Sequence, residues 1–191
     1  MLRSGAVQVT TPQGTDISFQ LGTRPFNKQN GDAKAERATQ ARMLVDREIE
    51  LPAGVVRVAP LEDSVNGIMV IPAARFGDVT VRNLRLQIRN GRVTSIEADE
   101  NGEVAQKALK EAGDAATRFR EFGLGFNPKL KIRNGTGILP YYGYGAGVVR
   151  LSLGDNQELA GNVRGGFVRW FFFPDATVKV NTTVIVQNGT L

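Results

Sequence analysis

The sequence predicts an α+β fold in which antiparallel strands dominate, and two observations support this prediction. The chain of 191 residues contains 22 glycines and 8 prolines, which is above ordinary usage and favours a fold with many turns. Asn-Gly pairs supply the positive φ angles of tight hairpin turns. They occur at residues 30, 66, 90, 101, 134 and 188.

The clearest hairpin covers residues 79–96. Apolar and polar residues alternate on both sides of Asn90-Gly91, as strands with one buried face require. The same alternation predicts further strands, which we place at residues 6–10, 17–21, 55–58, 68–71, 147–153, 166–172 and 178–186.

Few segments carry helical spacing. Residues 103–113 predict a helix, because Val104, Ala108 and Leu109 lie on one stripe and Gly113 provides a stop. Residues 114–122 are a candidate second short helix, and residues 32–47 are a candidate surface helix with a thin apolar stripe. No Pro-, Gly- or Ser-rich linker divides the chain, so residues 1–191 are expected to form a single domain with one or two helices.

Two residue types are absent, and their absence excludes several chemistries. The chain has no cysteine and no histidine. This excludes thiolate nucleophiles, Ser-His-Asp triads and every site in which histidine or cysteine binds a metal. Catalysis would have to rest on carboxylate, Lys, Tyr, Ser or Thr side chains, and a metal on oxygen ligands.

The charge pattern gives no sign of a nucleic-acid surface. The 24 basic and 19 acidic residues give a net charge of +5, but the basic residues are dispersed and form no stripe, so we expect no nucleic-acid partner. The first residues lack the apolar region of a signal peptide, and no apolar run is long enough to span a membrane. We therefore expect a cytoplasmic protein without a membrane partner.

Several segments, in chain order, resemble the C-terminal half of the M29 aminopeptidases, metallopeptidases of the aminopeptidase T type. The strings Leu-Pro-Ala-Gly and Asp-Ser-Val-Asn-Gly are the most specific. The segments are residues 14–19, 51–55, 59–67, 121–128, 147–154 and 184–189. They cover nearly the whole chain, and the N-terminal α/β domain of that family is not in this sequence.

The resemblance implies a two-metal peptidase that uses zinc or cobalt, with two Glu, two His and one Asp as ligands. The matching positions are Val55, Glu121, Arg150, Arg169 and Phe171, so one of the five ligands, Glu121, is kept. Two divalent cations need several anionic or neutral donors. Val and Phe have no lone pairs to offer, and Arg is permanently cationic. We therefore expect the metal site to be lost and no cofactor to be bound.

Three of these positions are candidate site residues. Glu121 is interpreted either as a catalytic remnant that acts as a general base or as a structural partner of arginine. If the family's backbone is kept, Arg150 and Arg169 should enter one cavity and approach Glu121. The guanidinium left over would then bind a small anion or a peptide carboxylate.

Further candidates could have either a binding role or a purely structural one. Asp63 and Asn66 could contact a ligand or could form a side-chain-capped turn. Asn127, which lies in the segment 121–128, is a further candidate binding residue. The tyrosine loop at residues 141–144 and the aromatic segment at residues 167–173 could face a partner or could pack locally.

Taken together, the sequence favours a non-catalytic M29-like binding or assembly subunit. We expect it to act as a homodimer or as a heteromer with a full-length relative. The alternative is an aminopeptidase-type hydrolase whose site is reorganised or completed across an interface.

Overall fold

A computed structural model describes residues 2–130 and 145–191. Within these ranges the chain forms twelve β-strands and two α-helices. The strands are β1 (Ala6–Thr10), β2 (Asp16–Gln20), β3 (Asn27–Gln29), β4 (Val55–Val58), β5 (Asn66–Phe76), β6 (Val79–Arg89), β7 (Arg92–Glu97), β8 (Phe119–Gly125), β9 (Val149–Gly154), β10 (Val168–Phe173), β11 (Thr177–Val180) and β12 (Thr183–Val186). The helices are α1 (Ala35–Thr39) and α2 (Gly102–Glu111), and single 3₁₀ turns lie at Leu44–Arg47, Glu62–Ser64, Asp114–Thr117 and Gln157–Leu159.

The strands form two sheets. The large sheet has the order β12-β11-β1-β2-β5-β6-β7, and the small sheet has the order β10-β9-β8-β4-β3. Every pair of neighbouring strands within these sheets is antiparallel. The predicted α+β, strand-rich fold class is confirmed.

The main hydrophobic core joins the two sheets. Phe19 of the large sheet contacts Phe119 and Phe122 of the small sheet, with ring centroids 5.9 and 5.4 Å apart. Helix α2 adds Ala105 and Leu109 to the same core. One face of the small sheet, here called its inner face, is therefore apolar and packs against the large sheet.

The predicted hairpin is confirmed as β6 and β7. Asn90 and Gly91 form its turn with φ angles of 48° and 71°, the left-handed region that an Asn-Gly pair favours. A Cβ on Gly91 would lie 2.3 Å from the carbonyl oxygen of Glu62. This turn therefore needs glycine both for its backbone angle and for its close packing.

Two helix predictions are wrong. Residues 114–122 form one 3₁₀ turn and then enter β8, in which every residue is buried. Because the adjacent residues Arg120 and Glu121 are both buried, the alternation of apolar and polar residues that marks a half-exposed strand is missing from its sequence. Residues 32–47 form only the five-residue α1 and one 3₁₀ turn, since their apolar stripe is too thin to hold a longer helix.

Other boundaries differ less. The pair Asn66-Gly67 opens the eleven-residue β5 instead of forming a turn, and the short β3 was not predicted. In the part of the chain described here, no helix has both the length and the apolar character that crossing a membrane requires.

Candidate functional site

The outer face of the small sheet, which points away from the large sheet, carries a row of charged residues. In the strand register, Arg57 of β4 lies beside Gly123 of β8, and Gly123 lies beside Arg150 of β9. A Cβ on Gly123 would lie 3.4 Å from Nε of Arg150. Because Gly123 has no side chain, the guanidinium of Arg150 can lie across β8.

A β-bulge adds two more charged residues to this face. The register between β8 and β9 shifts between Phe119 and Glu121, which makes Arg120 the extra residue. A bulge interrupts the alternation of side chains along a strand. The adjacent residues Arg120 and Glu121 therefore both reach the outer face, and both are almost completely buried.

These residues belong to a buried arginine–glutamate cluster, which consists of Glu50, Arg57, Arg120, Glu121, Arg150 and Glu158.

Glu121 lies at the centre of the cluster. Its Oε1 is 2.7 Å from Nη2 of Arg150, and its Oε2 is 3.2 Å from Nη2 of Arg57. Arg120 also forms an ion pair with Oε2. Three guanidinium groups therefore surround one carboxylate whose side chain is 0% exposed.

Two further carboxylates complete the cluster. The two Glu50 oxygens each lie 3.4 Å from a guanidinium nitrogen, one of Arg57 and one of Arg150. Glu158 is 2.9 Å from Arg57 and also pairs with Arg120. The three negative charges balance the three positive charges. The leftover guanidinium that motivated the expected anion is therefore not present in this cluster.

The cluster is covered by the segment that precedes β4. Glu50 reaches it from this segment, and the Glu50 backbone N–H donates to Oε1 of Gln29. Met43 and Val45 anchor the same segment in a small apolar cluster with other buried residues. Glu158, with 28% of its side chain exposed, is the most exposed member of the arginine–glutamate cluster.

Burial strongly affects one of the arginines. Desolvation, and then the positive charge of nearby Arg57, lowers the pKa of Arg120 to about 10, although Glu158 opposes this effect. Arg120 is still protonated at neutral pH, so its positive charge contributes to the charge balance of the cluster.

Of the two predicted arginines, the structure brings only Arg150 to Glu121. Arg169 pairs in register with Leu153 and lies on the inner face, where its guanidinium is 3.6 Å from the ring centre of Phe76. Alternation along β9 and β10 places Phe172, not Arg169, beside Arg150. The expectation that both arginines share one cavity is therefore wrong.

The position matched to the first metal-binding Glu is also filled by an apolar side chain. Val55 is buried with Val148 and Phe172. Phe171, matched to the metal-binding Asp, is buried in the main core. Neither side chain offers a lone pair to a cation.

The remaining candidates lie in a turn or make structural hydrogen bonds. Asp63 is exposed in a 3₁₀ turn. The Asn66 side chain accepts from the Asn90 backbone at 3.0 Å, and that of Asn127 donates to the Ala53 carbonyl at 2.7 Å. The tyrosines 141, 142 and 144 lie outside the described residues.

Sequence analysis missed four members of the cluster: Glu50, Arg57, Arg120 and Glu158. A usable signal was present, because Arg57 and Arg120 each interrupt a segment that is otherwise suited to a buried strand. Charged residues at such positions usually need ionic partners. The partners Glu50 and Glu158 lie outside the strands, and no pattern in the sequence predicts that they contact these arginines.

A second buried acid, Glu62, was also missed. Its carboxylate lies 2.6 Å from Arg24 and accepts from the side chain of Asn156 and the backbone of Asn162. Burial opposes ionisation of Glu62. The hydrogen bond from Asn162, its own backbone N–H, Arg24 and Asn156 outweigh burial and hold the pKa of Glu62 below its usual value.

The donors present do not fit a two-metal centre. Across residues 2–130 and 145–191, no group of three or more His, Cys, Asp or Glu side chains is arranged to hold a metal ion. Each carboxylate of the arginine–glutamate cluster already faces a guanidinium. A divalent cation placed there would be repelled by three fixed positive charges.

The whole chain, residues 1–191, matches the family described as NicX: 2,5-dihydroxypyridine 5,6-dioxygenase. The chain therefore belongs to the NicX family. No curated protein matches the sequence.

Two solved structures share the fold. The structure of 2,5-dihydroxypyridine dioxygenase from Pseudomonas putida KT2440 is 17% identical, with a TM-score of 0.76, and the alignment covers 100% of this chain and 56% of that one. Wild-type AmpT from Thermus thermophilus is also 17% identical, with a TM-score of 0.65, over 97% of this chain and 49% of that one. This chain thus spans about half the length of either structure.

At such identity these likenesses show the fold alone. The resemblance to the M29 aminopeptidases identified a related fold, whereas the family that the sequence matches is NicX and not M29.

Proposed function

We propose that this chain is a non-catalytic member of the NicX family that acts as a binding or assembly subunit. The observation that carries the proposal is the arginine–glutamate cluster. It occupies the face of the small sheet on which Val55, Glu121 and Arg150, three positions matched to metal ligands, lie together.

The absence of histidine supports the same conclusion for dioxygenase chemistry. Non-haem iron oxygenases commonly hold iron with two histidines and one carboxylate, and this chain has no histidine. An iron site of that kind would need ligands from outside these 191 residues.

Glu121 is also poorly placed to act as a general base. A base must come within hydrogen-bond distance of the proton that it removes. Both carboxylate oxygens of Glu121 already face guanidinium groups, and the side chain is fully buried. Its proposed role is to hold Arg57, Arg120 and Arg150 together.

The proposed partner is a second copy of the chain. The segment that covers the cluster exposes Leu44 and Leu51 at 62% and 70%, and Ile49 at 46%. Large apolar side chains grouped on one exposed segment favour contact with another protein surface. The predicted aromatic segment is less suited, because Phe171 and Phe173 are buried in the core.

The activity test uses two substrates and the purified protein. Ring opening of 2,5-dihydroxypyridine and hydrolysis of leucine p-nitroanilide are followed by absorbance, with added Fe²⁺, Zn²⁺ or Co²⁺. We expect no turnover above buffer with either substrate.

Turnover that EDTA abolishes would contradict the proposal. A Glu100→Gln variant is the matched control, because Glu100 is an exposed carboxylate outside the cluster. Loss of that turnover in a folded Glu121→Gln variant, with Glu100→Gln unaffected, would assign the turnover to Glu121.

A further inference from the structure

A second region of interest lies at the open edge between the two sheets. Strand β10 is the edge strand of the small sheet, and the described pairing of β2 with β5 ends at Ile68. A cavity of about 300 Å³ lies here, lined by residues 71–75 of β5 and 168–172 of β10. Strand edges from both sheets therefore border this cavity.

Arg169 contributes a positive charge to this cavity. Its guanidinium lies 3.6 Å from the ring centre of Phe76 and 5.5 Å from that of Phe171, and one Nη donates to the Arg75 carbonyl. Its Nε is buried and has no hydrogen-bond partner among the described residues. In the described part of the chain, no carboxylate forms an ion pair with Arg169.

The charge of Arg169 thus has no ion-pair partner in the ranges that the structure describes. Burial alone lowers the pKa of Arg169 to about 10, so the guanidinium is still charged at neutral pH. Arg169 is partly buried, and a cation that is partly removed from water is costly unless something pairs with it. An anionic group from outside the chain would supply that counter-ion.

The other lining residues define the rest of the ligand. None of the residues that line the cavity is acidic, and Arg75 is the second basic one. The remaining walls come from apolar side chains, including Ile71, Pro72 and Trp170. Pockets for small molecules combine such apolar walls with one or two charged groups that fix the orientation.

We propose that this cavity binds a small carboxylic acid with an apolar, aromatic body, and that its carboxylate pairs with the guanidinium of Arg169. The aromatic body would lie against the apolar walls. The volume is at the lower end of the range of small-molecule pockets. A free aromatic acid and the C-terminal residue of a peptide share this chemistry.

This proposal goes beyond the function proposed above and does not depend on it. Arg169 lies on the inner face of the small sheet, whereas the arginine–glutamate cluster lies on the outer face. Trp170 lines the cavity, and its ring centre also lies 6.0 Å from the guanidinium of Arg150, so separate substitutions, at Arg169 and at Glu121, test the two sites.

The test measures binding of 3-phenylpropionate by the fluorescence of Trp170, which is the only tryptophan in the chain and lines the cavity. The uncharged 3-phenylpropionamide is the ligand control. Arg169→Gln removes the charge, and Arg164→Gln makes the same change at an exposed arginine outside the cavity lining. Thermal melting verifies that each variant is folded.

We expect the acid to bind and the amide to bind at least about tenfold more weakly, since charge-assisted hydrogen bonds are worth that much or more. Arg169→Gln should weaken binding of the acid by a similar factor in a variant that thermal melting shows to be folded. Arg164→Gln should bind as the wild type does. Acetyl-Gly-Phe with a free C-terminus distinguishes a free aromatic acid from a peptide C-terminus as the ligand. If this peptide binds more tightly than 3-phenylpropionate does, the site is one for a peptide C-terminus.

Two results would overturn the proposal. One is the absence of any binding of either acid at millimolar concentration. The other is equal affinity of the wild type and a folded Arg169→Gln variant for 3-phenylpropionate.

Discussion

At the scale of single residues, Glu121 determines how the buried charges are arranged. Three guanidinium groups approach it, and two of them also contact Glu50. A cluster of this kind adds little net stability compared with apolar packing, but the loss of one member leaves buried partners without a counter-charge.

Substitution of Glu121 should therefore strongly destabilise the folded protein. We expect Glu121→Gln to lower the free energy of unfolding by roughly 3–5 kcal/mol, measured by urea denaturation. The double variant Glu121→Gln, Arg150→Met should lose clearly less unfolding free energy than the sum of the losses in the two single variants, since the ion pair is removed as a unit.

Glu100→Gln is the control for this cycle, because Glu100 forms an exposed ion pair with Arg82, and such pairs contribute little. Additive effects of Glu121→Gln and Arg150→Met, or a loss no larger than that of Glu100→Gln, would contradict the account of the cluster.

Glu62 makes the free energy of unfolding depend on pH in the acidic range. Its pKa is lowered from 4.5 in the folded protein, so the unfolded chain binds a proton more readily than the folded one. The stabilisation is complete above about pH 5 and is lost as the pH falls through the folded pKa.

A Glu62→Gln variant should lose less stability than the wild type between pH 6 and pH 3, as measured by urea denaturation at both values. Carboxylates elsewhere titrate in both proteins and cancel in the comparison. An equal loss in the two proteins would show that Glu62 does not contribute.

At the scale of secondary-structure elements, the turn of the β6–β7 hairpin is held by packing as well as by its backbone angle. Gly77 and Gly91 both have positive φ, but an added Cβ would meet nothing within 4 Å at Gly77 and the Glu62 carbonyl oxygen at Gly91. Gly77→Ala should cost about 1–2 kcal/mol for the angle alone, and Gly91→Ala should cost more. Equal unfolding free energies of the two variants would contradict this difference.

The elements also show what the sequence could predict. The β6–β7 hairpin and α2 were predictable, because local turn chemistry and helical spacing specify them. Strand β8 was not, since Arg120 and Glu121 are both buried and hide its alternation. The contact of Arg150 with Glu121 followed from their matched positions. That Arg169 points to the inner face of the small sheet, opposite to Arg150, could be established only from the register of β9 and β10.

At the scale of the whole molecule, the proposed homodimer places the exposed segment around Leu44 and Leu51 at the interface. Light scattering at tens of micromolar should give the mass of a dimer for the wild type and of a monomer for the double variant Leu44→Gln, Leu51→Gln. Val184→Gln, which changes an exposed apolar residue on β12, should remain dimeric. A monomeric wild type would refute the homodimer.

The central claim is that the arginine–glutamate cluster takes the place of a metal centre, and metal stoichiometry tests it most directly. The purified protein is incubated anaerobically with Fe²⁺, Zn²⁺ or Co²⁺, dialysed and subjected to elemental analysis, with Glu121→Gln treated in parallel. The account predicts far less than one metal ion per chain in both proteins, because three fixed guanidinium charges surround the remaining carboxylates. Close to one ion per chain in the wild type, lost in a folded Glu121→Gln variant, would contradict it.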